Sequence, residues 1–292
     1  MTEVPAPTLG DLAREGAAYL EEKSVPSARF DAEVLLAHTM GLDRSALLPR
    51  LRERAEAPAV ASFRGLLERR GRRTPLQHLT GHQEFWSLDF QVDARVLIPR
   101  PETELLVEAA ITMASSPSFR VADIGTGSGN IAIALARELP QAEVWATDIS
   151  AAALDVARAN AARHGVEKRI VFLEGDLARP LESEIRPGSL DLFVSNPPYV
   201  GTLELAALAP EVREHEPRSA LVPSGGEPLA LYPALLAAGR KFLRSGGHVI
   251  LELPAGGAEK LPPLLRAAGE LELVEVRTDY SGIPRILVVR RR

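Results

Sequence analysis

The chain is 292 residues long, with 46% hydrophobic residues, no cysteine and a formal net charge of −5. That length suggests two domains of ~100–200 residues each. The charge disfavours general nucleic-acid affinity while leaving room for a local basic patch, and the missing cysteines exclude disulfides and thiolate metal sites and fit a reducing compartment. No run of ~18 apolar residues marks a spanning helix, and the N-terminal stretch lacks the basic start and apolar middle of a signal peptide. A soluble cytoplasmic protein with no membrane partner is expected.

Residues 1–75 read as helical throughout. Thr8 and Asp11 begin a helix running through Leu12 and Leu20, and Ser27 or Asp31 begins another that Gly41 ends. A third spans Pro58 to Arg70, with Val60, Phe63, Leu66 and Leu67 at helical spacing. Arg64, Arg69, Arg70, Arg72 and Arg73 crowd its end. They read first as a solvated face that suits a helix C-terminus, and second as a docking surface for an anionic partner. From Gly81 to Ile98 the pattern changes. Glu84-Phe85-Trp86 and Leu88 to Val92 read as two short strands, a hairpin linker within residues 76–98. Residues 99–292 form the third part, opening on a helix through Leu105, Leu106, Val107 and Ala110.

After Phe119 strands and helices alternate. Strands are expected at Val121–Ile124, Val144–Thr147, Ile170–Leu173, Leu190–Val194, His248–Leu253, Leu273–Thr278 and Arg285–Val289. Helices are expected at Gly129–Glu138, Ala151–Arg163 and Leu229–Leu243. Such alternation implies an α/β fold, a mostly parallel sheet of seven strands with helices on both faces. The last two strands, with no helix between them, predict an antiparallel pair at one edge.

The C-terminal ends of the first, second and fourth strands, which carry the glycine loop, Asp148 and Asn196 to Tyr199, share one crevice in a fold of this kind. Gly125-Thr126-Gly127-Ser128-Gly129 follows Asp123 and opens a helix. Its glycines allow close approach of a ligand, and the helix end favours a carboxylate or phosphate. Asp148 ends the next strand, about twenty residues on, where an acid takes ribose hydroxyls. Asp176-Leu177 closes the third, where a carboxylate and an N–H meet a purine. The glycine loop alone suits a dinucleotide enzyme as well as a methyltransferase.

Asn196-Pro197-Pro198-Tyr199 is the most informative segment. Two prolines give no N–H and fix their own φ, and the residue before a proline is pushed to extended geometry. The strand therefore ends in a stiff hook carrying an amide, backbone carbonyls and a ring. The amide oxygen of Asn196 and the carbonyl of Pro197 suit the two hydrogens of a planar N–H₂ group, with Tyr199 against its face. Fixing that nitrogen supplies orientation, and acceptors aimed at its developing charge add to it. Hydride transfer needs no such clamp, whereas methyl transfer to nitrogen does. Asn196, Pro197 and Tyr199 are the catalytic candidates, and Asn196 to Tyr199 form the substrate clamp. Asn196 also counts among the cofactor contacts. Arg100, Glu102 and Phe85 are lesser candidates. The chemistry needs no metal, and the scattered His78, His82, His164, His215 and His248 read as structural.

The chain resembles the release factor glutamine methyltransferases over almost its whole length. Arg73 to Gly81, Glu84-Phe85-Trp86, Leu97 to Glu104, Asp123 to Gly129, Asp148-Ile149-Ser150, Ser195 to Tyr199 and Glu216 to Leu221 carry the resemblance. It implies a Rossmann-like class I methyltransferase domain behind a small helical domain and hairpin linker. The implied cofactor is S-adenosylmethionine, its methionine end at Gly125–Gly129, its ribose at Asp148 and its adenine at Asp176-Leu177. The implied substrate is the glutamine of a Gly-Gly-Gln loop in class-1 peptide chain release factors, with the helical domain for docking. Glu252-Leu253-Pro254 departs from a Glu-x-Gly pattern, a change expected to shape the sheet edge. A ribosomal-protein glutamine methyltransferase and an adenine-N6 methyltransferase on a flipped base are the nearest alternatives. A non-catalytic cofactor-binding scaffold is the third.

Overall fold

A computed structural model describes residues 6–114 and 119–292. The chain divides into two compact units, one of residues 1–81 with Ala209–His215 and one of His82–Leu208 with Glu216–Arg292.

The first unit is helical. Its opening helix, Leu9–Glu22, starts on a capping box. The Asp11 N–H donates to the Thr8 hydroxyl at 3.1 Å and the Thr8 N–H donates back to the Asp11 carboxylate at 3.0 Å, which satisfies two otherwise orphaned donors. Leu9, Leu12 and Leu20 from this helix, Leu35 and Leu36 from Ala28–Thr39, and Phe63 and Leu67 from Ala57–Gly71 make the core. Gly16 is small because Phe63 leaves no space, a Cβ there falling 2.8 Å from its ring.

The arginine-rich helix end differs from the expected solvated face. Arg70 is buried and donates to Asp31 at 2.7 Å and to Glu211 at 2.8 Å, and Arg73 reaches the other Glu211 oxygen at 2.8 Å. Arg64 pairs with Glu15. Arg70 and Arg73 are thus tied inside the unit, whereas Arg64, Arg69 and Arg72 remain exposed. Buried charges persist only when paired, and the two partners of Arg70 lie far from it in sequence.

In the second unit a hairpin comes first. Its strands β1 (His82–Phe85) and β2 (Leu88–Gln91) pair antiparallel across Trp86-Ser87, both at positive φ, as a two-residue primed turn requires. Phe85 and Phe90 meet edge to face at 6.1 Å and join the core of this unit. The fully buried Asn160 fastens the hairpin. It accepts from the Gln91 N–H at 2.8 Å and donates to the Gln91 carbonyl at 3.0 Å and the Ser128 carbonyl at 2.9 Å.

The main sheet has the expected seven strands. They are β3 (Arg120–Ile124), β4 (Glu143–Asp148), β5 (Ile170–Glu174), β6 (Leu190–Ser195), β7 (Leu243–Glu252), β8 (Leu271–Thr278) and β9 (Pro284–Arg291), in the order β5-β4-β3-β6-β7-β9-β8. The first five run parallel, and β9 pairs antiparallel with both β7 and β8. The antiparallel pair therefore forms one edge, as its missing connecting helix predicts. Helices cover both faces, so central strands are apolar on both sides. Val121 and Ala122 of β3 are fully buried against opposite clusters, the pattern of a doubly covered parallel sheet. Chain order reverses between β3 and β6. Ile124 is level with both Thr147 and Ser195, so the loops after β3, β4 and β6 open on one crevice.

Candidate active site

A cavity of about 620 Å³ sits at those strand ends. Gly125 and Gly127 line it, each at positive φ and with nothing within 4 Å of where a Cβ would stand. The backbone is bare there, as a close-fitting ligand needs. Gly129 is small for another reason. A Cβ on it lies 3.1 Å from Ala157 and 3.0 Å from Ile133, so it lets helix Asn130–Glu138 pack on helix Ala151–Arg163. The loop is tied back by N–H groups of Gly125 and Thr126, both bonding the Thr147 carbonyl at 2.9 Å.

Two carboxylates frame the loop. Asp148 accepts from the Gly127 N–H and the Ser150 N–H, each at 2.9 Å. Each oxygen keeps a lone pair for a ligand hydroxyl. Burial raises its pKa, and these N–H bonds oppose the rise. Asp123 lies fully buried beneath the loop. One oxygen accepts from the Thr126 hydroxyl at 2.7 Å and the Ala132 N–H at 3.2 Å, and the other, Oδ1, has no partner among the described residues. Burial pushes this carboxyl up to about 7. A bare glycine cradle over an unpaired carboxylate oxygen suits a cationic amino-acid end. Asp176 and Leu177 also line the cavity. Leu177 holds positive φ while its carbonyl accepts from Thr147 Oγ1 at 2.9 Å.

The opposite wall comes from β6. Ser195 is buried, its hydroxyl donating to the Ile124 carbonyl at 2.6 Å, which locks the end of β6 to that of β3. Asn196 and Pro198 then line the cavity, whereas Pro197 is buried. Asn196 Nδ2 donates to Thr103 Oγ1 at 3.1 Å, Thr103 donates to Glu252 Oε2 at 2.7 Å, and the Tyr199 hydroxyl donates to Glu252 Oε1 at 2.9 Å. Tyr232 donates to the Glu252 carbonyl. Glu252 is almost wholly buried, and burial raises its pKa against the Thr103 and Tyr199 bonds and the Arg285 charge. Burial and the nearby Glu252 charge push the Tyr199 phenol up.

Of the residues singled out from sequence, Gly125, Gly127, Asp148, Asp176, Leu177, Asn196 and Pro198 meet on the cavity. Thr126, Ser128, Gly129, Pro197 and Tyr199 do not line it. Arg100 does not reach the cavity lining, and instead binds Glu216 with Nη2 at 2.7 Å from each carboxylate oxygen. Phe85 is a core residue. Sequence reasoning missed Thr103, Asn160 and Glu252. Glu252 does not shape a sheet edge, since β7 lies between β6 and β9. Its place at the C-terminal end of a central strand, the same signal that marked Asp148, was available to find it.

The seven-stranded sheet with its glycine loop and strand-end acid defines a class I S-adenosylmethionine-dependent methyltransferase. Residues 101–227 match the methyltransferase small domain, and residues 11–81 the PrmC N-terminal domain. The METTL16 methyltransferase domain has the same fold, with a TM-score of 0.50 and 20% identity over 70% of this chain and 89% of that one. Over nearly the full length the chain is similar to the release factor glutamine methyltransferases of Moorella thermoacetica (43% identity, covering 98% of this chain and 99% of the relative) and Deinococcus radiodurans (42%, covering 97% and 98%). That of Geobacter sulfurreducens is 42% identical, covering 92% of each. The chain belongs to the release factor glutamine methyltransferase family. No described helix is long and apolar enough to cross a membrane.

Proposed function

We propose that this chain methylates the side-chain amide nitrogen (N5) of the glutamine in the Gly-Gly-Gln loop of class-1 peptide chain release factors, in the cytoplasm and in support of translation termination. One observation carries the reading. Asn196, the amide of the N–H₂ clamp, shares a single cavity with the bare backbone of Gly125 and Gly127 and with Asp148.

S-adenosylmethionine supplies a methyl group activated on a sulfonium. Gly125 to Gly129 would receive its amino-acid end over Asp123, Asp148 would take the ribose, and Asp176-Leu177 would flank the adenine. On the other wall, Asn196 Oδ1 and the Pro197 carbonyl accept the two hydrogens of the substrate amide, and Tyr199 packs against its face. The bound cofactor would supply its methyl group to that nitrogen. The nitrogen gains positive charge in that step, and the Asn196 and Pro197 acceptors stabilise it as it develops. Its extra proton leaves afterwards, so no strong base is needed at the moment of transfer. The helical domain, residues 1–75, serves as the docking element and residues 76–98 as the linker to the catalytic part, 99–292. Stable nucleic-acid binding is not part of the activity.

The test is methyl transfer from labelled S-adenosylmethionine to an unmodified class-1 release factor, the same factor with its loop glutamine replaced, and unmethylated genomic DNA. Label on the first alone supports the proposal. Label on the second moves the target to another residue, and label on DNA moves the chain to adenine-amine chemistry.

A further inference from the structure

The clamp amide is held by groups that never reach the cavity. Thr103 and Glu252 are each 1% exposed, and neither lines the site. Thr103 opens helix Glu104–Met113 and Glu252 ends β7, so two rigid elements meet behind the hook that follows β6.

We infer that Glu252, acting through Thr103, is the positioning residue that fixes which end of the Asn196 amide faces the substrate. The step rests on the functional reading above, and its logic is one of proton count. Both Glu252 oxygens accept, one from Thr103 and one from Tyr199, and a hydroxyl has one proton to give. Thr103 gives that proton to Glu252 at 2.7 Å. Thr103 Oγ1 therefore has only lone pairs left for Asn196, and the Asn196 group facing it is the N–H₂, at 3.1 Å. The amide is planar, so Oδ1 points the other way, toward the cavity, as the acceptor. A reversed amide would present N–H₂ to the substrate's own N–H₂ and repel it. The second oxygen of the same carboxylate takes the Tyr199 hydroxyl at 2.9 Å. One buried group thereby sets both the acceptor and the ring of the clamp, and Tyr232 anchors its backbone.

Two substitutions separate this role from simple packing. Thr103→Val keeps the shape and removes the hydroxyl, whereas Thr103→Ser keeps the hydroxyl and removes a methyl. A positioning role makes Val the damaging change and Ser the tolerated one, and a packing role reverses that order. For Thr103→Val, kcat is expected to fall by up to about 100-fold, the scale of a small misplacement. The Kd for S-adenosylmethionine stays at the wild-type value, and Thr103→Ser restores most of kcat. Val at the wild-type rate, or Ser as poor as Val, overturns the inference.

A second readout needs no methyl acceptor. In ¹⁵N NMR of the wild-type protein, the Asn196 Nδ2 protons are expected to be protected from exchange. That protection is lost in Thr103→Val and kept in Thr103→Ser. Unprotected Asn196 protons in the wild type overturn the inference even if release factor is methylated, while protected protons with no methylation sink only the functional reading. Should Thr103→Val not fold, Glu252→Leu takes its place in both measurements, with the same expectations of lost turnover and lost protection. Wild-type values there overturn the inference as well.

Discussion

Arg100 caps Glu216 from 116 residues away, one guanidinium nitrogen lying 2.7 Å from both carboxylate oxygens of a side chain with no solvent exposure. The pair joins the Pro-Arg-Pro-Glu stretch ahead of helix Glu104–Met113 to the segment that walls the cavity, where Pro217, Arg218 and Ser219 follow directly. Burial raises the Glu216 pKa and the Arg100 charge opposes it. Arg100→Ala strands a buried carboxylate. The expected cost is roughly 3 kcal/mol, the low end for breaking a buried pair, because Arg100 is itself 32% exposed. Urea unfolding measures it. A loss below about 1 kcal/mol would show the pair to act like a surface one.

Stability is expected to fall as pH rises from about 4 to 7. Asp123 is raised from 3.8 to about 7 in the fold, so between those values the folded state holds a proton that the unfolded chain has released. Folding is then favoured on the acid side, and the advantage is lost as pH climbs through the folded value. At ~1.36 kcal/mol per unit, the ceiling for this group is about 4 kcal/mol. Asp148, Glu216 and Glu252 are raised too and act with the same sign. The share of Asp123 is read as the difference in slope between the wild type and Asp123→Asn. Identical slopes would show that this carboxyl titrates normally.

The parts of the site legible in sequence are those whose chemistry is local. A glycine loop between a strand and a helix, an acid at the next strand end, and Asn-Pro-Pro-Tyr each state their geometry within a few residues. The groups that hold them do not. Thr103 and Glu252 are 149 residues apart, and Thr103 sits between two glutamates that look more chemical than it does. Arg70 read as solvated because its partners Asp31 and Glu211 lie 39 and 141 positions away. A polar residue inside a helix, such as Asn160, shows no sign in sequence of the hairpin it bonds. Composition and periodicity fix which face is apolar, and they leave open which buried polar groups find one another.

Glu211 ties helix Pro210–His215 into the helical unit through Arg70 and Arg73, each at 2.8 Å. Burial raises its pKa, but bonds from Arg73 and Arg70 more than offset this and hold it below the ordinary value. Glu211→Ala leaves Arg70 with Asp31 and the Thr74 carbonyl and is expected to free the segment. Limited proteolysis at 203–208, where Leu203 is already fully exposed, should speed several-fold. An unchanged cleavage rate would mean that the helix is held by its packing.

Asn196 and Asp148 are expected to separate catalysis from cofactor binding. Asn196 touches the cavity from the β6 side, and its Nδ2 is engaged by Thr103. Asn196→Ala removes the proposed acceptor for the substrate amide and leaves the glycine loop intact. Turnover should fall by ~10²–10³, the cost of losing one preorganised polar group, with the Kd for S-adenosylmethionine nearly unchanged. Asp148 instead pins Gly127 and Ser150 by their N–H groups and is the proposed ribose partner. Asp148→Ala loses the hydroxyl acceptor and loosens the loop together, so the Kd should rise first, with kcat at saturating cofactor closer to the wild type. Calorimetric titration of cofactor into each variant, set beside single-turnover methylation of release factor, tests both at once. A large loss of cofactor affinity in Asn196→Ala would reassign that amide from the substrate clamp to the cofactor, and Tyr199 with the Pro197 carbonyl would then be left to orient the glutamine.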